Sequence, residues 1–151
     1  MANSFQTTAY KLNAQEGQNL QSCGAAISIK ATSMQTGGAF NLFEALCPPD
    51  YATPLHIHYA EHVALYVLEG SLAVFWGGEK KHAAAGSYFF QPQGTPHGFR
   101  VEGGSPARIR YMTFPAGLDR FIAEETMDVL RCKYEITAAR YKIEILGALP
   151  E

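Results

Sequence analysis

Two stretches of the chain decide its fold: PLHIHYAEHVALYVLEG at Pro54–Gly70 and GSYFFQPQGTPHGF at Gly86–Phe99. Both contain short runs of β-branched and aromatic residues that end in turn residues, which is typical of strands. His56 and His58 are two residues apart in the first stretch, so on a strand both side chains leave the same face. Their Cα atoms would then be about 6.6 Å apart, close enough for the two imidazoles to share one metal ion.

Similar runs lie on both sides of these two stretches. They are AISIKATSM at 26–34, AFNLFEALC at 39–47 and ARIRYMTFP at 107–115, and glycine- or proline-containing turns separate them. Closely spaced strands with turn signals, and no helical periodicity between them, predict an all-β sandwich or closed barrel.

The segment 115–151 has a different character. Leu118, Phe121 and Ile122 recur at helical spacing, and AARY further on suggests a second short helix. No cluster of histidine, cysteine or acidic residues accompanies these helices, so we interpret them as cover for one side of the barrel. The expected organisation is a barrel over residues 1–114 with residues 115–151 as a helical extension packed on the same domain.

Composition narrows the function class. The 151 residues are 47% hydrophobic and 17% charged, the balance of one globular domain with a core. The net charge is −2 and the basic residues are scattered, which argues against nucleic acid as the main partner. No apolar run approaches the ~20 residues needed to cross a bilayer, so no membrane partner is expected.

The N-terminal sequence and the cysteines bear on localisation. MANSFQTTAYKLNAQEGQNL has neither a basic segment nor an apolar segment of a secretory signal. Cys23, Cys47 and Cys132 follow no paired or metal-binding spacing, which predicts reduced thiols. Both features favour a cytoplasmic protein.

A third histidine completes a candidate metal site. His97 follows the turn-rich segment PQGTP, which could return its side chain towards His56 and His58. Imidazole ligands suit iron, nickel, copper or zinc better than magnesium or calcium. His62 and His82 are interpreted as surface residues.

In order and spacing, the two stretches resemble the two motifs of the cupin family. The family's first motif runs H-x-H, three or four residues, Glu, six residues, Gly, and the second runs Gly, five residues, P-x-G, two residues, His. The residues that fit are His56, His58 and Gly70 in the first motif and Gly86, Pro92, Gly94 and His97 in the second.

The resemblance spans most of the chain and is greatest to the small quercetin-dioxygenase-like cupins of bacteria. It implies a single-domain double-stranded β-helix, also called a jelly-roll barrel, with two short C-terminal helices. It further implies a divalent transition metal ion (Fe, Ni, Mn, Cu or Zn), a small-molecule substrate and a homodimer.

One position departs from the family pattern. Counting back from Gly70, the family's metal-binding Glu falls on Val63, which cannot bind a metal ion. Three interpretations follow. The three histidines hold the ion alone, Glu61 or His62 turns inward as a fourth ligand, or the site binds metal weakly or not at all.

The residues expected to line the substrate pocket are apolar. Alternation from Val63 places Leu65 and Val67 on the same inward face. Phe43 and Phe99 are the aromatic residues assigned to the wall.

The resemblance implies a metal-dependent dioxygenase acting on a small aromatic or enolisable oxygenated substrate. Because residue 63 is Val where the family motif has Glu, true flavonol cleavage is disfavoured. The sequence assigns a catalytic role to no residue. Two alternatives remain open. One is an isomerase or cyclase that uses the metal as a Lewis acid, and the other is a non-catalytic small-molecule-binding barrel.

Overall fold

The computed structural model describes residues 7–127 and 138–151, which form eleven strands and a helix. The elements in chain order are β1 (Gln18–Ser22), β2 (Ala25–Ala31), β3 (Asn41–Cys47), β4 (Leu55–His58), β5 (His62–Glu69), β6 (Ser71–Trp76), β7 (Glu79–Ala84), β8 (Tyr88–Gln91), β9 (His97–Glu102), β10 (Ala107–Phe114), α1 (Leu118–Met127) and β11 (Ile143–Gly147).

The strands form two antiparallel sheets that enclose the core. One sheet has the order β1-β2-β3-β10-β5-β8, and the other has the order β11-β4-β9-β6-β7. Several pairs of consecutive strands, such as β4 and β5 or β8 and β9, lie in different sheets. The chain therefore winds back and forth between the sheets, which is the predicted all-β jelly-roll barrel.

Period-two alternation explains which side chains form the core. β2 alternates strictly between buried and half-buried residues, and Val63, Leu65 and Val67 of β5 are all buried, as predicted. Phe43 on β3 is fully buried and its ring stacks on that of Tyr111 with centroids 4.7 Å apart. The inner face of the six-stranded sheet is thus mainly apolar, with Asn41, Gln91 and Thr113 as its buried polar residues.

The C-terminal segment contributes more than the predicted helices. Leu118, Phe121 and Ile122 of α1 are buried, and residues 138–140 are helical. In addition, β11 pairs with β4 at the edge of the five-stranded sheet. The sequence did not predict this strand. Five residues are too few for alternation to separate a strand from the end of a helix. Within the described ranges, no helix is long and apolar enough to cross a membrane.

The cysteines differ from one another. Cys47 is a free thiol that is 1% exposed, and burial raises its pKa to about 12. Cys23 is disulfide-bonded, so the prediction of reduced thiols is wrong for this residue. Cys132 lies outside the described residues. Spacing along the chain could not reveal the bond, because disulfide pairing depends on proximity in the folded protein.

Gly70 forms the tight connection between β5 and β6, which belong to different sheets. Its φ is +80°, and a Cβ built there would lie 2.7 Å from the carbonyl oxygen of Pro106 and 2.9 Å from the Cα of Ala107. Gly78, in the β6–β7 turn, has a similar φ of +76° but nothing within 4 Å of such a Cβ.

We expect Gly70→Ala to lower the free energy of unfolding by about 3 kcal/mol and Gly78→Ala by about 1 kcal/mol, because only the first adds backbone collision to the cost of a positive φ. Chemical denaturation of both variants measures the difference. Equal losses would show that the close approach at Gly70 does not constrain the barrel.

Candidate metal centre

The three motif histidines lie together because of strand register. His56 on β4 pairs directly with His97 on β9, and His58 follows two residues later on the same face of β4. Ring centroids are 4.5 Å apart for His56 and His97, 5.0 Å for His56 and His58, and 5.3 Å for His58 and His97. One ligating atom from each residue lies within 4.8 Å of those from the other two.

This spacing is somewhat wider than that of an occupied metal site. Two nitrogens bound to one ion at about 2.1 Å in tetrahedral geometry are about 3.4 Å apart. The ligating atoms of the cluster lie within 4.8 Å of one another, so the widest pair has to approach by up to about 1.4 Å. Rotation of the imidazoles can supply such a movement, and three imidazoles are a donor set that fits a transition metal ion.

Each ring is oriented by an acceptor at its Nδ1 atom. His56 Nδ1–H donates to the carbonyl oxygen of Pro54 at 2.7 Å, and His97 Nδ1–H donates to that of Thr95 at 2.9 Å. His58 Nδ1–H donates to Glu61 Oε1 at 2.8 Å. With the proton held on Nδ1, the lone pair of each Nε2 atom is left to bind a metal.

Burial favours the neutral form of His56 and His97. His58 and His97 are 6% and 5% exposed. Burial, together with the neighbouring His97 and His58 rings, holds the pKa of His56 well below its usual range. Burial and the nearby His58 lower the pKa of His97 to about 4. Neutral imidazole is the form that binds metal ions, so these two rings are ready to bind near pH 7 without losing a proton.

Neither candidate for a fourth ligand belongs to the cluster. Glu61 is buried, but its Oε1 atom is bonded to His58 on the Nδ1 side of the ring, so it orients a ligand. His62 Nδ1 accepts a hydrogen bond from the backbone N–H of Gln93, and its ring lies near those of Phe90 and Phe114. The sequence placed Glu61 near the site but could not reveal this role, which depends on how the chain turns between β4 and β5.

The histidines line a cavity of about 140 Å³ between the two sheets. Of the five residues expected to line a pocket, Val63, Leu65 and Phe99 do so, whereas Phe43 and Val67 belong to the core and are not in the cavity wall. Val63 therefore presents an apolar surface to the cavity at the position where the motif has a carboxylate.

Several wall residues were missed by the sequence analysis. Leu118, Phe121 and Ile122 close the cavity from α1, and β11 contributes two isoleucines. The amphipathic pattern of α1 predicts that one face of the helix is buried, but it does not indicate that this face lines the cavity. The described residues that line the cavity include no Asp, Glu, Lys or Arg. The full set is Ser22, Ala25, Ile27, Ala45, Cys47, Tyr51, Thr53, Pro54, His56, His58, Val63, Leu65, Gln91, His97, Phe99, Ile109, Tyr111, Leu118, Phe121, Ile122, Ile143 and Ile145.

Glu61→Gln should weaken metal binding by about 10- to 100-fold. The amide holds the His58 ring less firmly than the carboxylate does, and the substitution removes the negative charge of the carboxylate. Competition with a chelating dye measures the affinity. Glu102→Gln is the matched control, since Glu102 accepts from the exposed His82 Nδ1 at 2.9 Å outside the cluster. Equal affinities of the Glu61→Gln variant and the unsubstituted protein would contradict the orienting role.

Val63→Glu should raise metal affinity by about tenfold or more, because it adds an anionic oxygen to three neutral ligands. Val63→Leu, which adds volume without a ligand, should not raise it. The same dye competition compares the three proteins. If Glu at this position binds metal no better than Leu, the Val63 side chain does not reach the ion.

Comparison with known proteins agrees with this architecture. The family model described as a cupin domain matches residues 43–114, which contain both histidine motifs. The quercetin 2,3-dioxygenase of Bacillus subtilis (strain 168) is 28% identical over 102 residues, which are 68% of this chain and 30% of that protein. The chain thus spans less than a third of this curated relative.

Solved structures share the fold. An RmlC-like cupin from Shewanella frigidimarina NCIMB 400 superposes with a TM-score of 0.64 at 19% identity, covering 76% of this chain and 98% of that one. The polyketide cyclase RemF from Streptomyces resistomycificus superposes with a TM-score of 0.62 at 24% identity, covering 71% and 80%. The family-model match over residues 43–114, which contain all three histidines, and the shared fold together identify a cupin domain in this chain.

Proposed function

We propose that this cupin is a metal-dependent dioxygenase acting on a small aromatic or enolisable oxygenated substrate. The observation that carries the proposal is the cluster of three imidazoles in the wall of an apolar cavity: each ring is hydrogen-bonded at Nδ1, and one ligating atom of each lies within 4.8 Å of the others. Imidazole donors suit Fe, Ni, Cu and Zn, and manganese is retained from the family resemblance. A redox-active ion of this group would supply the activation of O2 and of a bound enol oxygen.

The charge of the site favours an anionic substrate oxygen. His56, His58 and His97 are neutral ligands, and Val63 contributes no charge where a carboxylate would stand. A divalent ion held by neutral ligands keeps its full positive charge. An enolate or phenolate oxygen would compensate that charge on binding, whereas a neutral sugar hydroxyl would not.

The size and polarity of the cavity support a small planar molecule. A cavity of about 140 Å³ is close to the ~150 Å³ of an engineered apolar cavity that binds benzene. It therefore accommodates about one aromatic ring or a short diketone, and a three-ring flavonol would extend beyond it. Among the described wall residues, no charged side chain is available to bind a ring of sugar hydroxyls.

The residues of this chain prepare the reaction by orientation and by exclusion of water. Pro54, Thr95 and Glu61 hold the imidazoles in place, and the buried side chains of α1 close one side of the cavity. In such a reaction O2 is the oxidant, both of its atoms enter the products, and a carbon–carbon bond beside the enol oxygen breaks.

A second candidate function is non-catalytic binding of a small apolar molecule. Val63 favours it, because loss of the motif carboxylate lowers the number of ligands available to the ion. A Lewis-acid isomerase or cyclase would use the same three histidines without consuming oxygen.

The test separates these functions with one assay. Protein loaded with iron(II), nickel(II) or manganese(II) is given β-diketones, α-hydroxy ketones and single-ring phenols while oxygen and products are followed. We expect oxygen uptake with at least one combination of metal and substrate. His56→Ala, which removes a metal ligand, should lower turnover by more than about 100-fold. His82→Ala, which removes an exposed imidazole outside the cluster, should keep full activity.

Each other outcome overturns the dioxygenase proposal in favour of one alternative. Product formed equally well without oxygen would indicate an isomerase or cyclase. Ligand binding without turnover in every metal-loaded form would indicate a binding barrel. Equal thermal stability of His56→Ala and the unsubstituted protein is the folding control.

A further inference from the structure

One polar side chain in the cavity wall has no role in the site described above. β8 alternates strictly, so that Tyr88 and Phe90 face outward while Phe89 and Gln91 face inward. Gln91 is 4% exposed and lines the same cavity as the three histidines. A glutamine is uncommon in such a place, since amides are usually found where water can reach them.

The amide of Gln91 has no hydrogen-bond partner among the described residues. Gln91 lines the cavity, and neither polar atom of its side chain is among the fully buried side-chain atoms that lack a partner, so the amide keeps some accessible surface. An amide in an apolar wall that has no protein partner is available to hydrogen-bond a molecule that enters the cavity.

Register places Gln91 beside the missing carboxylate. Val63 on β5 pairs directly with Gln91 on β8, and both line the cavity. Neighbouring strands are about 4.8 Å apart. The polar group nearest to the apolar gap at Val63 on this side is therefore an amide, which is neutral and can both donate and accept.

Thr113 lies beside Val63 on the opposite strand and differs from Gln91 in its position relative to the cavity. It pairs with Val63 across β10 and β5. Its hydroxyl is fully buried and has no hydrogen-bond partner within residues 7–127 and 138–151, but Thr113 does not line the cavity. Of these two cross-strand partners of Val63, Gln91 is the one placed to meet a ligand.

We propose that Gln91 is a substrate-binding residue whose amide hydrogen-bonds a second oxygen of the substrate while the first oxygen lies at His56, His58 and His97. This inference rests on the proposed function for the position of the first oxygen. It narrows the substrate class to molecules of about one ring that carry two oxygen functions, one acidic and one neutral. The neutral amide selects a hydroxyl or carbonyl group and leaves the charge of the metal site unchanged.

The test uses phenol and the three dihydroxybenzenes as probes, because they share one ring and differ in the second oxygen. Anaerobic titration of the cobalt(II)-loaded protein, followed by its visible absorption, reports binding at the histidines. Calorimetry of the metal-free protein reports binding in the cavity without the ion. We expect at least one dihydroxybenzene to bind about tenfold more tightly than phenol in the loaded protein, a factor that one hydrogen bond can supply.

Gln91→Met keeps the shape of the side chain and removes the amide. It should abolish the preference for the second hydroxyl, leave phenol and cobalt binding unchanged, and leave the denaturation midpoint equal or higher. Thr113→Val, the matched control, should retain the preference.

The possible failures are distinguishable. A preference that survives Gln91→Met in both forms, or no preference for any dihydroxybenzene in either form, overturns the role of Gln91. Weaker cobalt binding in Gln91→Met also overturns it, because the amide would then be a metal ligand. Absence of cobalt binding in the unsubstituted protein overturns the proposed function. Even then, a preference for the second hydroxyl in the metal-free protein that is lost in Gln91→Met would assign the oxygen contact to Gln91.

Discussion

The pairing of His56 with His97 across β4 and β9 is the constraint on which the site depends. A direct cross-strand pair brings two Cβ atoms to about 5 Å of each other without any special loop conformation. His58 then joins the pair because strand side chains recur on one face every second residue. A one-residue slip of β4 would turn both of its histidines away from the cavity. The sheet that contains β4 is held by β9 on one side and β11 on the other, so the C-terminal strand supports the register of the site.

The site combines two opposite environments. The residues that β5 and α1 contribute to the cavity wall are apolar. The Nδ1 atoms of the imidazoles are instead hydrogen-bonded to two backbone carbonyls and to the buried carboxylate of Glu61. The negative charge thus lies behind a ligand instead of beside the ion. This arrangement keeps the histidines oriented, yet it leaves the charge of a bound cation to be compensated by whatever enters the cavity.

Much of the fold could be predicted from the sequence because it depends on local pattern. Alternation located β2, β5 and β10, and motif spacing indicated which histidines meet. Asp50, in the turn between β3 and β4, adopts a φ of +65°, a conformation that aspartate tolerates better than most residues.

What could not be predicted depends on contacts between distant parts of the chain. The acceptors at Nδ1 are set by the turns before β4 and β9 and by the turn between β4 and β5. The cavity wall formed by α1 requires the helix to dock, and β11 is recognisable as a strand only once β4 is beside it. Gln91 was overlooked for a related reason. It immediately precedes Pro92 of the second motif, but its importance appears only when β8 is placed against Val63 of β5.

Anomalous diffraction from crystals of the zinc- or iron-loaded protein decides whether the three histidines bind one metal ion through their Nε2 atoms, because it locates the ion independently of any assay. We expect a single strong anomalous peak in the cavity, at about 2.1 Å from Nε2 of His56, His58 and His97. A peak bound by fewer than these three imidazoles, or located instead at Glu61 or His62, would contradict it.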